Sequence, residues 1–277
     1  MQPQRNSSLE QAIAALLNDE SCTVQVYDTL PSTNGRLRTM AEQDAPEGTA
    51  VLALHQSAGR GRMGRSFYSP QESGLYLSLL LRPQMPLSEA LSLTSIAAVA
   101  ACEAIEQVCA KKVQIKWVND LLYEKKKICG ILTEGAAAPE GNRLSYAIVG
   151  IGINLLLPKG GFPPELASVA GALYQGDADV PPADLLPKLT ASWLQRFLDY
   201  YHQLPHKHYF SVYRDKLCML GESILVYENG KSRKAAALTI DDAFRLLVRY
   251  EDGTEEWRSS GEIRIRYDTP HSGQQIL

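Results

Sequence analysis

Cysteine is scarce and scattered. The 277 residues hold five, Cys22, Cys102, Cys109, Cys129 and Cys218, with no Cys-x-x-Cys pair and no Cys/His cluster at zinc spacing. That argues against a disulfide framework and a sequence-local zinc site, and predicts buried free thiols in a reducing compartment. Long apolar runs are missing too. The longest, at 96–101 within the segment 87–110, is too short and too polar-flanked to suggest a bilayer span. The N-terminus is polar and has no signal-peptide core. A soluble, cytoplasmic protein without a membrane partner is expected. Neither sign of charge is in excess. The 28 Lys and Arg against 31 Asp and Glu give −3, so the whole chain is not built to coat nucleic acid. There is no internal repeat and no low-complexity tract. No Walker loop, kinase signature or Rossmann fingerprint marks a nucleotide site. The apolar share of 45% suffices for one large core, or for one core plus a small accessory domain.

What is present begins with Gly59-Arg60-Gly61-Arg62-Met63-Gly64-Arg65. Glycine lets a backbone approach a ligand closely, and arginine supplies a planar charged fork for carboxylate or phosphate. Residues 49–55 and 74–81 on either side read as strands. A basic glycine loop between two strands of a folded domain points to a binding loop rather than a disordered RNA-binding tail. It is expected to be mobile when empty and to order around an anion.

Elsewhere the pattern predicts helices at 8–17, 88–109, 185–201 and 208–217, and one from Ser32 and Thr33, both good N-caps, through Met40 and Ala41. Strands are expected at 23–28 and 113–117. A hairpin of 121–123 and 128–134 is closed by Glu124-Lys125-Lys126-Lys127, and a nearly continuous apolar strand covers 146–156. Residues 158–182, rich in Pro and Gly, read as loop and linker. After Gly221 come short strands at 224–227, 235–240, 245–250, 255–258 and 263–266, with Asn229-Gly230 and Asp252-Gly253 at hairpin turns. The expected class is α+β: a domain of mixed sheet and helices over 1–218, then a small β-barrel over 219–277.

Three further constellations carry chemistry. Lys116-Trp117-Val118-Asn119-Asp120 ends a strand, and the hairpin brings Asp120 and Lys127 onto neighbouring strands. Lys125 and Lys126 read as solvated tip charges. Lys127, beside the apolar strand, reads equally as a surface charge or as an ammonium for a carboxylate or phosphate. Asp120 could hold Mg²⁺ or accept a proton. Gly150-Ile151-Gly152-Ile153-Asn154 puts glycines inside an apolar strand, which permits close approach, and ends on a polar amide. Ser32-Thr33-Asn34 either caps a helix or offers hydroxyl and amide groups to a polar ligand. Together these supply what an adenylating enzyme requires.

Ser32-Thr33-Asn34, Gln56 with the Gly59–Arg65 loop, Lys116–Asp120 with Lys127 and Gly130-Ile131-Leu132, Gly150–Asn154, and Gly261-Glu262-Ile263-Arg264-Ile265-Arg266 occur in the order seen in biotin–protein ligases, the biotin–[acetyl-CoA-carboxylase] ligases. The chain resembles that family over residues 23–268. The resemblance implies a class II synthetase-like catalytic domain, a mixed sheet with helices on one side, and a C-terminal SH3-like barrel. It implies that biotin and MgATP give biotinyl-5′-adenylate, and that the acyl group then passes to one lysine of a biotin carboxyl carrier protein. By matching position, Ser32, Thr33, Asn34 and Gln56 would surround the biotin head group. Gly59, Arg60, Gly61 and Arg62 would close over biotin and adenylate. Lys127 would contact the biotin carboxylate and reacting phosphate, with Arg60 and Asp120 also catalytic. Arg62, Lys116, Asn119, Asn154 and Arg266 would border the nucleotide, and Asp120 the metal.

Two residues depart from the pattern. Val118 stands where the family often has proline, and Met63 replaces a commonly polar residue in the loop; neither removes a reactive group. Some members carry an N-terminal winged helix-turn-helix and act as repressors. About twenty residues precede the first catalytic strand here, too few for such a domain, so operator DNA is not expected as a partner. A homodimer is compatible with the resemblance, and the sequence leaves oligomeric state open. The nearest rival is a lipoate or octanoate ligase; the Gly-Arg loop and the barrel argue against it. A nucleic-acid-binding module is disfavoured by the net charge and by the lack of aromatics interleaved around Arg60–Arg65.

Overall fold

The computed structural model describes residues 3–139, 141–176, 179–228 and 230–265. The chain separates into two compact units, Met1–Lys216 and Leu217–Leu277.

The first unit is built on a seven-stranded sheet in the order β1-β2-β3-β7-β6-β5-β4. Its strands are β1 (Thr23–Leu30), β2 (Thr49–Gln56), β3 (Gly74–Leu81), β4 (Gln114–Lys116), β5 (Asp120–Tyr123), β6 (Lys126–Ala137) and β7 (Leu144–Asn154). β1 and β2 pair in parallel and the other neighbours antiparallel, so the sheet is mixed. The helices are α1 (Ser7–Ala14), α2 (Thr33–Glu42), α3 (Ala90–Cys109), α4 (Pro164–Ala167), α5 (Leu185–His202) and α6 (Tyr209–Asp215). The expected elements are present, with ends shifted by a few residues. A single 3₁₀ turn at Leu87–Glu89 precedes α3.

Alternation along the strands sorts side chains to two faces. Tyr27, Val51, Ala53, Leu80 and Ile148 meet Leu37 and Ala41 of α2 on one face. Thr133, one residue before the Ile148 partner Glu134, bonds Thr94 of α3 on the other, at 2.8 Å. Helices therefore flank both faces, not one side as the resemblance implied. The sheet is wide enough that its strands β2, β3 and β7 need apolar cover on each face. The same parity places Gly130, Ser78, Gly150, Gly152 and Glu134 on the α2 face. Glycines thus pave the sheet beside the start of α2, where a Cβ at Gly150 would meet Asn34.

α3 matches the helix expected at 88–109. It runs unbroken for 20 residues and is, by length and composition, apolar enough to cross a membrane. Its alanines, serines and threonines interrupt the run of large apolar residues without breaking the helix. Burial decides its role: 72% of its most apolar window is buried inside the protein, and Trp193 of α5 donates its indole N–H to the Ala97 carbonyl at 3.2 Å. It is a core helix. Burying each of its large side chains contributes about 1.5–3 kcal/mol.

The stretch read as linker is a strap along the sheet. Lys127 N donates to Val169 O, and Gly171 N to Lys127 O, both at 2.8 Å. Leu173 N donates to Asn154 O at 3.0 Å and Tyr174 N to Leu155 O at 2.8 Å. Ala172, Leu173 and Tyr174 are buried. Its prolines and glycines suit an extended path that adds backbone hydrogen bonds without forming a full strand.

The second unit is a five-stranded antiparallel sheet in the order β11-β10-β9-β8-β12, with β8 Ser223–Glu228, β9 Lys231–Ile240, β10 Leu246–Tyr250, β11 Glu255–Arg258 and β12 Glu262–Ile265. Val226, Ala237, Phe244, Leu246, Val248 and Ile263 form its core. The Asp252-Gly253 turn is as expected: Gly253 has φ +84° and Asp252 Oδ1 accepts from Thr254 N at 2.9 Å. Of the Asn229-Gly230 turn, Asn229 lies outside the described residues. The two terminal nitrogens of the buried Arg258 guanidinium donate to Tyr250 Oη at 3.2 Å, Glu256 at 3.0 Å and Glu228 at 3.3 Å, while its Nε has no partner among the described residues.

Candidate active site

Two polar clusters lie on the glycine-paved face. The first forms where α2 starts. Ser32 is the N-cap, its Oγ accepting from Gly35 N at 3.3 Å, a contact worth about 1 kcal/mol to the helix. Thr33 and Asn34, in the first turn, are 4% exposed, so capping and inward presentation both occur. Thr33 N donates to Gln56 Oε1 at 2.9 Å, and Gln56 Nε2 to Ser69 Oγ at 3.0 Å. Ser78 Oγ, fully buried, lies 2.7 Å from Thr33 Oγ1 and 2.6 Å from Asn34 Oδ1. Asn34 Nδ2 donates to Glu134 Oε2 at 2.9 Å. The other Glu134 oxygen accepts from Arg38 at 2.8 Å and pairs with Arg60 at 3.0 Å.

The second cluster sits at the β4–β5–β6 turns. Glu124 and Lys125 both have positive φ, of 48° and 64°, the geometry of a tight hairpin turn. A register shift between Leu121 and Leu122 lets Lys127 swing toward Asp120, and Lys127 Nζ reaches Asp120 Oδ1 at 2.6 Å. Lys116 Nζ lies 3.9 Å from Asp120 Oδ2. Asn119 Nδ2 donates to Ile131 O at 3.0 Å, and its Oδ1 accepts from Arg62 at 2.9 Å. Burial lowers the Arg62 proton affinity, opposed by the Asp120 carboxylate and by Tyr213, and the guanidinium stays charged. The Val118 carbonyl accepts from the buried Tyr213 hydroxyl at 3.2 Å, which anchors the segment where proline is absent.

Between the clusters lies Phe67. A Cβ at Gly152 would stand 2.5 Å from its ring, and one at Gly130 3.2 Å. At Gly150 a Cβ would stand 2.1 Å from Asn34 Oδ1. These glycines make room for protein side chains as well as for any ligand. The Gly-Arg loop is a closed hairpin: Arg60 bridges Ser66, Gly61 N donates to Arg65 O at 2.7 Å and Phe67 N to Gly59 O at 2.9 Å. Met63 takes a left-handed conformation, φ +56°, and is 75% exposed. A side chain at Gly59 would strike the Phe67 carbonyl at 2.3 Å, so glycine there is fixed by the facing arm of the loop.

Residues 26–154 match the biotin/lipoate A/B protein ligase family. The bifunctional ligase/repressor BirA of Bacillus spizizenii is 35% identical over 236 residues, covering 83% of this chain and 70% of that protein. The protein of the same name from Bacillus subtilis is 40% identical over 175 residues, 63% of this chain and 53% of its own length. The chain belongs to the biotin–protein ligase family. It spans about half to two thirds of the length of these curated relatives. Among solved structures, the biotin protein ligase of Aquifex aeolicus in complex with biotin and ATP superposes with a TM-score of 0.71 at 26% identity, covering 88% of this chain and 98% of that one.

As a biotin–protein ligase family member the chain brings most of the expected residues together. Ser32, Thr33, Asn34, Gln56, Gly59 and Arg60 line the first cluster. Arg62, Lys116, Asn119, Asp120 and Lys127 form the second. Asn154 stands apart: its amide donates to Gly171 O at 2.9 Å and holds the strap. Arg266 lies outside the described residues. Lys126 is not a solvated tip charge, because its ammonium donates to Ser168 O at 2.5 Å and caps the end of α4. Sequence reasoning missed Glu134, Ser78, Phe67, Ser69 and Arg38 as site members. Ser78 was visible as the one polar residue in Gly-Leu-Tyr-Leu-Ser-Leu-Leu-Leu, and Glu134 as an acid ending an apolar strand run.

Proposed function

We propose that this chain activates biotin with ATP to biotinyl-5′-adenylate and transfers biotin to a lysine of a biotin carboxyl carrier protein. The observation that carries the reading is the spacing of the two clusters. Glu134 and Gly130 mark them on one strand, and four residues of β6 separate them by roughly 13 Å. That span suits a molecule with a hydrogen-bonding ring at one end and a carboxylate at the other. Biotin has a ureido ring and a carboxylate on a four-methylene chain.

The chemistry follows from charge. A carboxylate attacking an α-phosphate must approach a polyanion, so cations along the line of displacement lower the barrier. Lys127 would leave Asp120 for the biotin carboxylate and the reacting phosphate, with Arg60 and Arg62 holding the adenylate and Lys116 and Asn119 the nucleotide. The hairpin loop would keep water from the mixed anhydride. Mg²⁺ would enter with ATP as part of the substrate. Among the described residues no three His, Cys, Asp or Glu side chains gather, so no step is routed through a protein-held metal, and Asp120, released by Lys127, would be a single carboxylate beside the Mg²⁺ that ATP brings. The five-stranded sheet is proposed as the SH3-like barrel of the family, and the units as catalytic and accessory domains.

The polar first cluster favours a hydrogen-bonding head group over the dithiolane of lipoate or a plain alkyl chain. Operator DNA binding is left to a gel-shift measurement. A homodimer is likewise left to a sedimentation measurement. The test is pyrophosphate release by the purified chain from ATP with biotin, lipoate or octanoate, followed by transfer to a carrier lysine. Release with biotin alone is expected; release with lipoate or octanoate instead would overturn the reading.

A further inference from the structure

The geometry points to Lys111 as a positioning residue that clamps the strap to the β5–β6 hairpin and so holds the backbone from which Lys127 extends. The role given to Lys127 rests on the proposed function above; the clamp itself does not.

Lys127 lies where the regular sheet runs out. The ladder between β6 and β7 starts at Cys129, opposite Ile153, and β7 ends at Asn154. On that side Lys127 pairs with the strap instead, through Val169 O and Gly171 N. A side chain at Gly171 would strike Lys126 Cβ at 2.6 Å, so the strap lies tight against the hairpin. On the other side Lys127 faces Leu122, after the register shift in β5. The direction of its side chain therefore depends on a two-bond bridge to the strap and on a slipped pair in the hairpin. A long ladder backs neither of them.

Lys111 joins the two segments. It follows Ala110, whose left-handed φ of 54° ends α3, and its side chain is 15% exposed. Its Nζ lies 4.7 Å from the centre of the Tyr174 ring, 5.3 Å from that of Tyr123, and 2.8 Å from Asp179 Oδ2. Tyr174 and Asp179 lie on the strap. Tyr123 lies on β5, where it pairs with Lys126. One ammonium thus binds both segments that flank Lys127. Each ring attracts the cation through its quadrupole, more strongly where water is excluded. Asp179 is 42% exposed, so its ion pair is screened and the rings carry more of the hold. The Tyr174 backbone is fixed in turn by Leu155 O at 2.8 Å and Leu157 N at 3.1 Å. None of the three partners of Lys111 belongs to either polar cluster. Lys111 acts through the backbone of Lys127 and not on the substrate.

The test reads the clamp and the reaction separately. Hydrogen exchange of the ligand-free chain should show the Lys127 and Gly171 amides exchanging about tenfold faster in Lys111→Ala, with those of β3 and β7 unchanged. Lys111→Arg keeps a cation over both rings and should return the two amides to within about threefold of wild type. In pyrophosphate release, Lys111→Ala should lower kcat about tenfold per active site, counted by single-turnover adenylate formation, and leave the KM for biotin within about twofold. Lys111→Arg should recover most of kcat. A structural role alone would lower Tm or the active fraction without moving kcat per site. Unchanged exchange in Lys111→Ala, unchanged kcat per site, or equal losses in kcat and biotin binding would each overturn the inference. If the wild type makes no adenylate from biotin, the proposed function fails and the exchange measurement alone decides the clamp. If Lys111→Ala does not fold, Lys111→Met, which keeps the apolar stem and drops the charge, is held to the same limits.

Discussion

Gly150→Ala tests whether the glycine-paved sheet exists to seat Asn34. The added Cβ would stand 2.1 Å from Asn34 Oδ1, 2.9 Å from its Cγ and 3.1 Å from its Nδ2. Asn34 sits in the first turn of a helix fixed by Leu37 and Ala41 in the core, so the side chain must retreat by about an ångström without help from the backbone. Retreat breaks the bond from Ser78 at 2.6 Å and the one to Glu134 at 2.9 Å. A neutral hydrogen bond contributes about 1 kcal/mol and one to a charged group about 1.5–3. Against this, removing a glycine stiffens the unfolded chain by about 0.4–1 kcal/mol. The net loss is about 2–3 kcal/mol, or roughly 4–12 °C in Tm for a unit of this size. Thermal unfolding followed by fluorescence measures it, and calorimetry should show biotin binding weakened at least tenfold. Gly152→Ala is the comparison. There the obstacle is the Phe67 ring, half-buried on a loop and able to swing, so stability should change less. Wild-type Tm and biotin affinity in Gly150→Ala would refute the reasoning.

Lys127→Ala should abolish most adenylate formation, whereas Lys125→Ala leaves it unchanged and Lys126→Ala lowers stability by no more than about 1 kcal/mol through loss of the α4 cap; equal losses across the three would reduce Lys127 to part of a general basic patch. Arg62→Ala removes an adenylate contact that replaces the bond to Asn119, so the loss is smaller than the roughly 2–3 kcal/mol of a bare charged hydrogen bond, about 1 kcal/mol, and biotinyl-adenylate should leak about fivefold faster at nearly unchanged Tm, read by quenched release from the preformed complex. The buried thiols should be inert. Burial pushes Cys22 up to about 12 and raises Cys102 and Cys129 further, so the reactive thiolate is absent at neutral pH and gained only as pH rises toward those values. Mass spectrometry after iodoacetamide treatment of the folded chain at pH 7 should find these three unmodified, and rapid alkylation of any would contradict its burial.

Local sequence rules made most of the fold legible. Strands announced themselves by alternation or by apolar runs, and Ser32 by its capping chemistry. What escaped was what depends on register. The strap over 158–176 has no period of its own; its hydrogen bonds exist only because Lys127 and Leu155 lie on neighbouring edges. The face occupied by α2 could not be told from composition, since parity matters only once β3, β7 and β6 are aligned. The site divided in the same way. Residues with a distinctive type and spacing, such as Arg60, Arg62 and Lys127, stood out. Glu134 and Ser78 did not, because a lone acid or serine gains meaning only when a partner 44 or 100 residues away is brought against it.

Those partnerships change how the cations should be understood. A basic loop and a lysine tip suggest free charges waiting for an anion, yet among the described residues each assigned cation already has an internal acceptor. Arg60 rests on Glu134, Arg62 on Asn119 and Lys127 on Asp120. Cations gathered on one face would repel one another if unpaired, and their partial burial would make that worse. Pairing removes the repulsion, and it makes anion binding an exchange of partners in which each new contact replaces an old one. The net gain per phosphate contact is then smaller than that of a bare charged hydrogen bond, and the anion alone has little hold. The uncharged cluster around Thr33 and Asn34 involves no such exchange of charge. Affinity on this face should therefore be set mainly by the head group, with the paired cations kept in reserve for the charge that develops as the phosphate is displaced.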